Sequence, residues 1–256
     1  TMQFDFATTP RVMVRAGAMQ EPTDWLKGIP GQRLFLITDP GLVKARVIAP
    51  VLAALQAAGR EICLYQEVEA DPPEARILAT VEAARQAKAD IIIGLGGGSS
   101  MDTAKLVALL AATPQPLESI YGIGLAKGPR LPLILVPTTA GTGSEVTPIS
   151  IVTTPTQEKK GVVSPLLYPD LAILDADLTL GLPLFVTAIT GIDAMVHAIE
   201  AFTSRIKKNP MADCLAREAL SILYKNLPLV LTDGQNREAR SAMLVGSMLA
   251  GMAFAN

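Results

Sequence analysis

Several stretches of this chain put chemically useful residues directly after apolar runs. Gly94-Leu95-Gly96-Gly97-Gly98-Ser99-Ser100 leads into Met101-Asp102-Thr103-Ala104-Lys105, between a strand-like run and a helix-like one. Glycines let a backbone turn sharply and approach a phosphate closely. The free N–H groups and positive dipole end at a helix start attract an anion. The plainer alternative is a tight strand-to-helix turn with a serine cap, and the glycine spacing is not the ordinary dinucleotide-binding one. A second stretch, Pro137-Thr138-Thr139-Ala140-Gly141-Thr142-Gly143-Ser144-Glu145, also follows an apolar run. Its hydroxyls can bond a ribose or phosphate at the carboxyl end of a strand, or simply bond their own loop.

Three smaller signals accompany these. Asp39 follows the first apolar strand-like run, where a carboxylate can accept bonds from both hydroxyls of an adenine ribose and repel a 2′-phosphate; an Asp-Pro-Gly turn needs the same residues. Asp193 and His197 are four residues apart on a predicted helix, so they share a face one turn apart. Carboxylate plus imidazole suits Fe(II), Zn or Mn, and a histidine bonded to a neighbouring carboxylate is the plainer reading. Lys159 and Lys160 precede Gly161-Val162-Val163-Ser164-Pro165, where one of them could lie over a cofactor ribose or phosphate or both could be solvated.

The elements that must position these residues follow from the apolar pattern. From Arg33 onward short apolar runs alternate with amphipathic ones. Strands are expected at 34–38, 61–65, 90–95 and 131–136, and helices at 43–58, 71–88 and 99–112. Continuously apolar strands alternating with helices predict an α/β fold with a mainly parallel sheet covered on both faces. Residues 3–6 and 12–15 fit a two-stranded edge. After a last strand at 172–174, every segment from about Leu182 reads as helix: 183–204, 210–225 and 237 to the end. The domain boundary therefore falls near Gly181, giving an α/β domain over 1–180 and the first part of an all-helical domain over 181–256.

Composition narrows the class. Half the residues are hydrophobic and only 4% aromatic, so a large core must be built from Ala, Val, Ile, Leu and Met. A net charge of −2 with no basic block argues against a nucleic-acid partner. No apolar run reads as a membrane span, Met243 to Ala255 being the nearest and too short, and the N-terminus lacks the pattern of a signal peptide. Cys63 and Cys214 sit in apolar patterns and are expected to be buried free thiols, which with the missing signal predicts a cytoplasmic protein. A single histidine, His197, means that a mechanism needing more cannot be completed from this chain.

Three blocks together carry a family resemblance. Gly96 to Lys105 (GGGSSMDTAK), Pro137 to Glu145 (PTTAGTGSE) and Thr190 to Phe202 (TGIDAMVHAIEAF) resemble the signature blocks of iron-containing alcohol dehydrogenases, in the family's order and with family-like gaps. The resemblance covers essentially the whole chain. It implies a Rossmann-like domain followed by an all-helical one, as in the related dehydroquinate synthases. It also implies that Gly97, Gly98 and Ser99 hold the pyrophosphate of NAD and that Thr138, Thr139 and Thr142 contact phosphates and the nicotinamide-side ribose. Asp39 would select NAD over NADP, Leu178 and Leu180 would pack beside the cofactor, and Lys159 rather than Lys160 would face it. Asp71, where many members carry Asn, would fall at the adenine contact. Asp193 and His197 match the first two ligands of the family's Fe(II), with Zn as the alternative metal.

By the same resemblance the activity is hydride transfer between a small alcohol or aldehyde and nicotinamide, with the metal as Lewis acid toward the substrate oxygen. A homodimer or higher homo-oligomer is expected. The family takes two further ligands from later histidines that this chain lacks, so the chain reads as a fragment, or the ordered or processed part of a longer chain, and is expected to be inactive alone. The rival readings are a sugar-phosphate cyclase-like lyase on the same fold, a metal-free reductase of the maleylacetate type, and a truncated nucleotide-binding module without activity.

Overall fold

The computed structural model describes residues 1–256. In chain order the first elements are β1 (Val12–Val14), α1 (Pro22–Trp25), β2 (Arg33–Ile37), α2 (Pro40–Lys44), α3 (Ala49–Ala57), β3 (Glu61–Tyr65), α4 (Glu74–Gln86), β4 (Ile91–Gly96) and α5 (Gly98–Ala112). There follow β5 (Gly122–Ile123), β6 (Leu133–Pro137), β7 (Ile149–Thr153), β8 (Lys159–Val163) and β9 (Leu171–Leu174). Three long helices, α6 (Leu184–Thr203), α7 (Pro210–Thr232) and α8 (Arg237–Ala255), complete the chain.

Six strands form one all-parallel sheet in the order β1-β9-β6-β4-β2-β3. Its central strands β2, β4, β6 and β9 are apolar on both sides because both sides are covered. Phe35, Ile37, Ile92 and Leu135 join a core with Ile77 and Val81 of α4 and Met101 and Leu109 of α5. Leu34, Leu36, Ile93 and Val136 point the other way, into a core with Trp25, Ile48, Val51 and Leu55. Alternate residues of a strand face opposite sides, so a doubly covered strand must be apolar throughout.

The strand order carries a functional consequence. From β2 the chain steps outward to β3, returns to the other side of β2 as β4, and then continues to β6 and β9. The direction of winding therefore reverses between β2 and β4. In open parallel sheets a crevice opens at such a reversal, beyond the carboxyl ends of the two strands, and ligands bind there.

Several expectations need correction. Residues 3–6 form no strand; β1 instead joins the main sheet, parallel to β9. The single helix expected at 43–58 is two helices, α2 and α3, separated at Arg46, whose φ is 61°. Pro50 explains the break: it lacks an N–H and fits only the first turn of a helix, where α3 carries it. Both cysteines are free but exposed, because β3 is an edge strand and Cys214 lies on the outer side of α7. A second sheet, β5-β8-β7, was not anticipated; its β7–β8 pair is antiparallel. α7 also runs past Lys225 through Pro228, held by Leu223, Leu227 and Val230 in the core of the helical bundle.

The bundle packs small residues of α6 inward. A side chain on Gly191 would meet Leu227 Cδ1 at 2.9 Å and Met243 Cε at 3.0 Å, and Ala194 shares their cluster. The opposite side of α6 is an apolar stripe of exposed Phe185, Ile189, Ile192, Val196 and Ile199. By length and composition α6, rather than Met243–Ala255, is the helix apolar enough to cross a membrane. Its docking against α7 and α8 identifies it as a bundle helix.

Candidate cofactor crevice and metal ligands

The three elements bordering the reversal each carry a loop singled out by sequence. Asp39 follows β2, Gly97–Ser99 follow β4 and Thr138–Thr142 follow β6. The backbone N–H of Thr138 donates to Gly96 O at 2.9 Å, which holds the second and third loops together.

The glycine loop has the form an anion site needs. Gly96 has φ +156°, and a side chain there would come within 2.6 Å of Ser100 Oγ. α5 has Gly97 as its N-cap residue and no side-chain cap. The serine cap that would have made this an ordinary turn is absent, so the first N–H groups of a four-turn helix face the crevice unclaimed by side chains. A side chain on Gly98 would meet Thr142 Cγ2 at 3.0 Å, so glycine is what lets the threonine loop close over the helix start. Ser99 Oγ accepts a bond from the Asp71 N–H at 3.3 Å.

The two carboxylate oxygens of Asp39 differ in their surroundings. Its Oδ1 accepts from the Leu42 N–H at 3.0 Å and caps α2. Its other oxygen has no protein partner and is available to a ribose hydroxyl. Across the crevice mouth, Lys159 Nζ lies 3.0 Å from Asp71 Oδ1, with both side chains exposed. Lys160, the next residue on β8, projects to the other side of the strand, 5.9 Å from the Tyr121 ring centre and 3.9 Å from Glu158. The two lysines are thus separated by strand alternation, and Lys159 stands with Asp71 and Ser99.

Leu178 is half-buried against the core beneath β2 and β4 and lines a hollow of about 250 Å³ with Arg46, Val47 and Asp175. Leu180 is also half-buried, and its carbonyl accepts from Gln235 Nε2 at 2.9 Å. A larger hollow of about 460 Å³ lies elsewhere, between the N-terminal arm, Val163–Pro165 and Asn256. None of the three candidate loops lines it, so volume alone is a poor guide to the chemistry here.

Asp193 and His197 project from α6 with side chains 52% and 25% exposed, and Asp193 Oδ1 lies 3.8 Å from His197 Nε2. That is too long for a hydrogen bond. It is short enough for one ion with bonds of about 2.0–2.2 Å to touch both atoms. The His197 ring packs on Phe254 of α8, centroids 5.2 Å apart, which fixes its plane. No third His, Cys, Asp or Glu joins them. The donor types suit a borderline divalent metal, and the pair offers two candidate ligands for one.

Sequence reasoning overlooked a buried polar cluster behind the crevice. Lys105 has a side chain 0% exposed. Its Nζ donates to Ser144 Oγ at 2.9 Å, Thr147 Oγ1 at 3.2 Å and Ile149 O at 2.8 Å. Ser144 Oγ donates to Asp102 Oδ1 at 2.7 Å, and Asp102 Oδ2 accepts from the Ile151 N–H at 3.1 Å. Burial pushes the Asp102 carboxyl up and the Lys105 ammonium down, each opposed by the charge of the other. Burial also pushes Glu145 up to about 7, and its Oε2 has no partner. A signal was present: Lys105 falls on the same helical face as Met101, Ala104 and Ala108, all buried, where a lysine has no route to water.

Comparison with known proteins shows the family. Residues 9–176 match the iron-containing alcohol dehydrogenase family, and residues 187–256 match the C-terminal part of the Fe-containing alcohol dehydrogenase family. The chain belongs to this family. It is 43% identical over 256 residues to a sulfoacetaldehyde reductase of Bilophila wadsworthia, covering 100% of this chain and 66% of that protein. It is 39% identical over 243 residues to long-chain-alcohol dehydrogenase 1 of Geobacillus thermodenitrificans, covering 94% of this chain and 61% of the relative. The solved sulfoacetaldehyde reductase from Bifidobacterium kashiwanohense, in complex with NAD+, superposes with a TM-score of 0.91 at 30% identity, covering 100% of this chain and 68% of that one. A solved 1,3-propanediol oxidoreductase superposes with a TM-score of 0.95 at 34% identity, over 100% and 67% of the two chains. The chain thus spans under two thirds of the length of these two curated relatives.

Proposed function

We propose that this chain supplies the cofactor site and two metal ligands of an NAD-dependent alcohol dehydrogenase or aldehyde reductase acting on small substrates. The observation carrying the proposal is the uncapped start of α5, set between Asp39 and the Thr138–Thr142 loop at the winding reversal. Bound there, NAD would accept or donate the hydride, while Fe(II) or Zn held by Asp193 and His197 would act as a Lewis acid toward the substrate oxygen.

The residues divide the work by position. Backbone N–H groups from Gly97 to Ser99 hold the pyrophosphate, Asp39 accepts from the adenine-side ribose hydroxyls, and the hydroxyls of Thr138, Thr139 and Thr142 orient the nicotinamide-side ribose. Asp71 and Lys159 border the entrance, with Leu178 and Leu180 on the apolar flank. Asp39 makes NAD the preferred dinucleotide, because its charge opposes a 2′-phosphate. The similarity to a sulfoacetaldehyde reductase supports a short, polar aldehyde among the substrates.

Calorimetric titration with NAD tests the cofactor site: the 256-residue chain binds it, and Gly98→Val, which fills the phosphate approach, weakens it at least tenfold with the fold intact. Unchanged affinity in that variant overturns the pyrophosphate assignment. Metal content after dialysis tests the ligands: two protein donors retain Fe(II) or Zn poorly, since stable catalytic sites have at least three. Retention of one equivalent, insensitive to His197→Ala, overturns the assignment of this histidine.

A further inference from the structure

The cluster around Lys105 lies behind the crevice and ties α5 to the segment that runs from the threonine loop into β7. Asp102 and Lys105 stand on the second turn of α5, the helix whose first turn carries Gly98 and Ser99. Their partners Ser144, Thr147, Ile149 and Ile151 follow the threonine loop directly. The Ser144 N–H donates in turn to Thr142 Oγ1 at 3.3 Å, and the methyl of Thr142 is what a side chain on Gly98 would strike. A continuous bonded path therefore runs from Lys105 through Ser144 to the residue facing the helix start.

The chemistry of the path indicates its purpose. Burying an ammonium is costly unless every proton is bonded and an opposite charge is near. Here three protons meet three acceptors, and Asp102 Oδ1 lies 3.7 Å away. An apolar residue would pack on this face with less desolvation, as Met101 and Ala104 already do. What an apolar residue would lack is direction: nothing would tie the loop at a set height above the helix.

We infer that Lys105 and Asp102 are positioning residues that set the width of the cofactor crevice by holding the Thr138–Ser144 loop against the start of α5. The inference rests on the reading of the crevice as an NAD site. It implies an uneven effect on ligands. The threonine loop meets the dinucleotide beyond its first phosphate, whereas the adenosine half rests on Asp39 and the glycine turn.

The test is titration of the 256-residue chain and its Lys105→Met and Ser144→Ala variants with NAD and with AMP, alongside thermal melts. The expected result is about a tenfold rise in the NAD Kd for Lys105→Met, a smaller rise of about threefold for Ser144→Ala, and an unchanged AMP Kd in both. Ser144→Ala removes one hydroxyl and leaves Lys105 two acceptors, so it reports even where Lys105→Met fails to fold. Equal weakening of NAD and AMP shows a merely structural role and overturns the inference. So does unchanged NAD affinity in folded variants. Failure of the parent chain to bind NAD at all overturns the reading of the crevice itself, and this inference with it.

Discussion

Gly251 of α8 and Gly143 of the threonine loop meet backbone to backbone: a side chain on Gly143 would fall 2.8 Å from Gly251 Cα, and one on Gly251 would fall 2.9 Å from Gly143 O. The helical bundle is therefore seated directly on a loop of the crevice. Gly143 carries a second constraint, a φ of +65° that disfavours any side chain. Gly251→Ala is expected to lower stability by about 1–3 kcal/mol, the usual cost of overpacking, and to weaken NAD binding by displacing the loop. Thermal melts and NAD titration on one preparation check both effects. A variant with unaltered melting and unaltered affinity would show that the two glycines do not couple bundle and loop.

Asp39 allows charge and cap to be separated. Asp39→Asn keeps an oxygen for the Leu42 N–H, so α2 remains capped, but it removes the charge that opposes a 2′-phosphate. The ratio of NADP to NAD affinity should rise at least tenfold, with a melting temperature close to that of the parent. Asp39→Gly should raise the same ratio and also cost about 1 kcal/mol or less through the cap. Parallel titrations with the two dinucleotides give the answer, and an unchanged ratio in both variants removes Asp39 from the cofactor site.

The Asp71–Lys159 pair is exposed on both sides, so its contribution to stability is small. Its effect on an incoming anion is larger, because Asp71 occupies the lysine and adds a negative charge at the crevice mouth. Asp71→Asn should tighten NAD binding about twofold to fivefold at low salt, with the gain shrinking at high salt as screening increases. The φ of 49° at residue 71 suits asparagine well, so the fold is retained. Affinity that falls in this variant would show that the carboxylate itself contacts the cofactor.

Glu145 is 2% exposed, and burial pushes its carboxyl up to about 7. In the unfolded chain it titrates near 4.3, so between those values the folded state binds the extra proton. Stability from this group is fully present below about pH 4 and is lost as pH rises through 7, a change of about 3–4 kcal/mol. Glu145→Gln removes the titration. Chemical denaturation from pH 5 to pH 8 should show the parent losing stability relative to the variant as pH rises. A constant difference across that range would mean that the carboxyl keeps an ordinary affinity for its proton.

The main sheet was readable because its central strands are buried on both faces: after the exposed Arg33 that opens β2, the residues of β2, β4 and β6 leave no polar position to mislead the eye. β7 was not, and its residues show why. Ser150 is fully buried, its hydroxyl donating to Asp102 O at 2.8 Å, while Ile151 is 40% exposed. Tertiary bonding has reversed the usual correspondence between polarity and burial, and no local pattern records that. The loops after β2, β4 and β6 could be found as motifs, since glycine and hydroxyl residues announce special backbone and hydrogen-bonding needs. The role of Lys105 could not, because its partners lie some 40 residues away in sequence and meet it only once β6 and β7 are in place.

The stripe on α6 has a practical meaning for anyone handling this chain. Phe185 is 75% exposed, and Ile189, Ile192, Val196 and Ile199 continue the ridge along the same side. Environment-sensitive dyes such as ANS are commonly taken to brighten when packing loosens and greasy interior becomes accessible. Here a fully packed molecule already offers such a surface. Dye fluorescence would register in the intact fold, and a bright signal from this protein would be no measure of whether its interior has come apart.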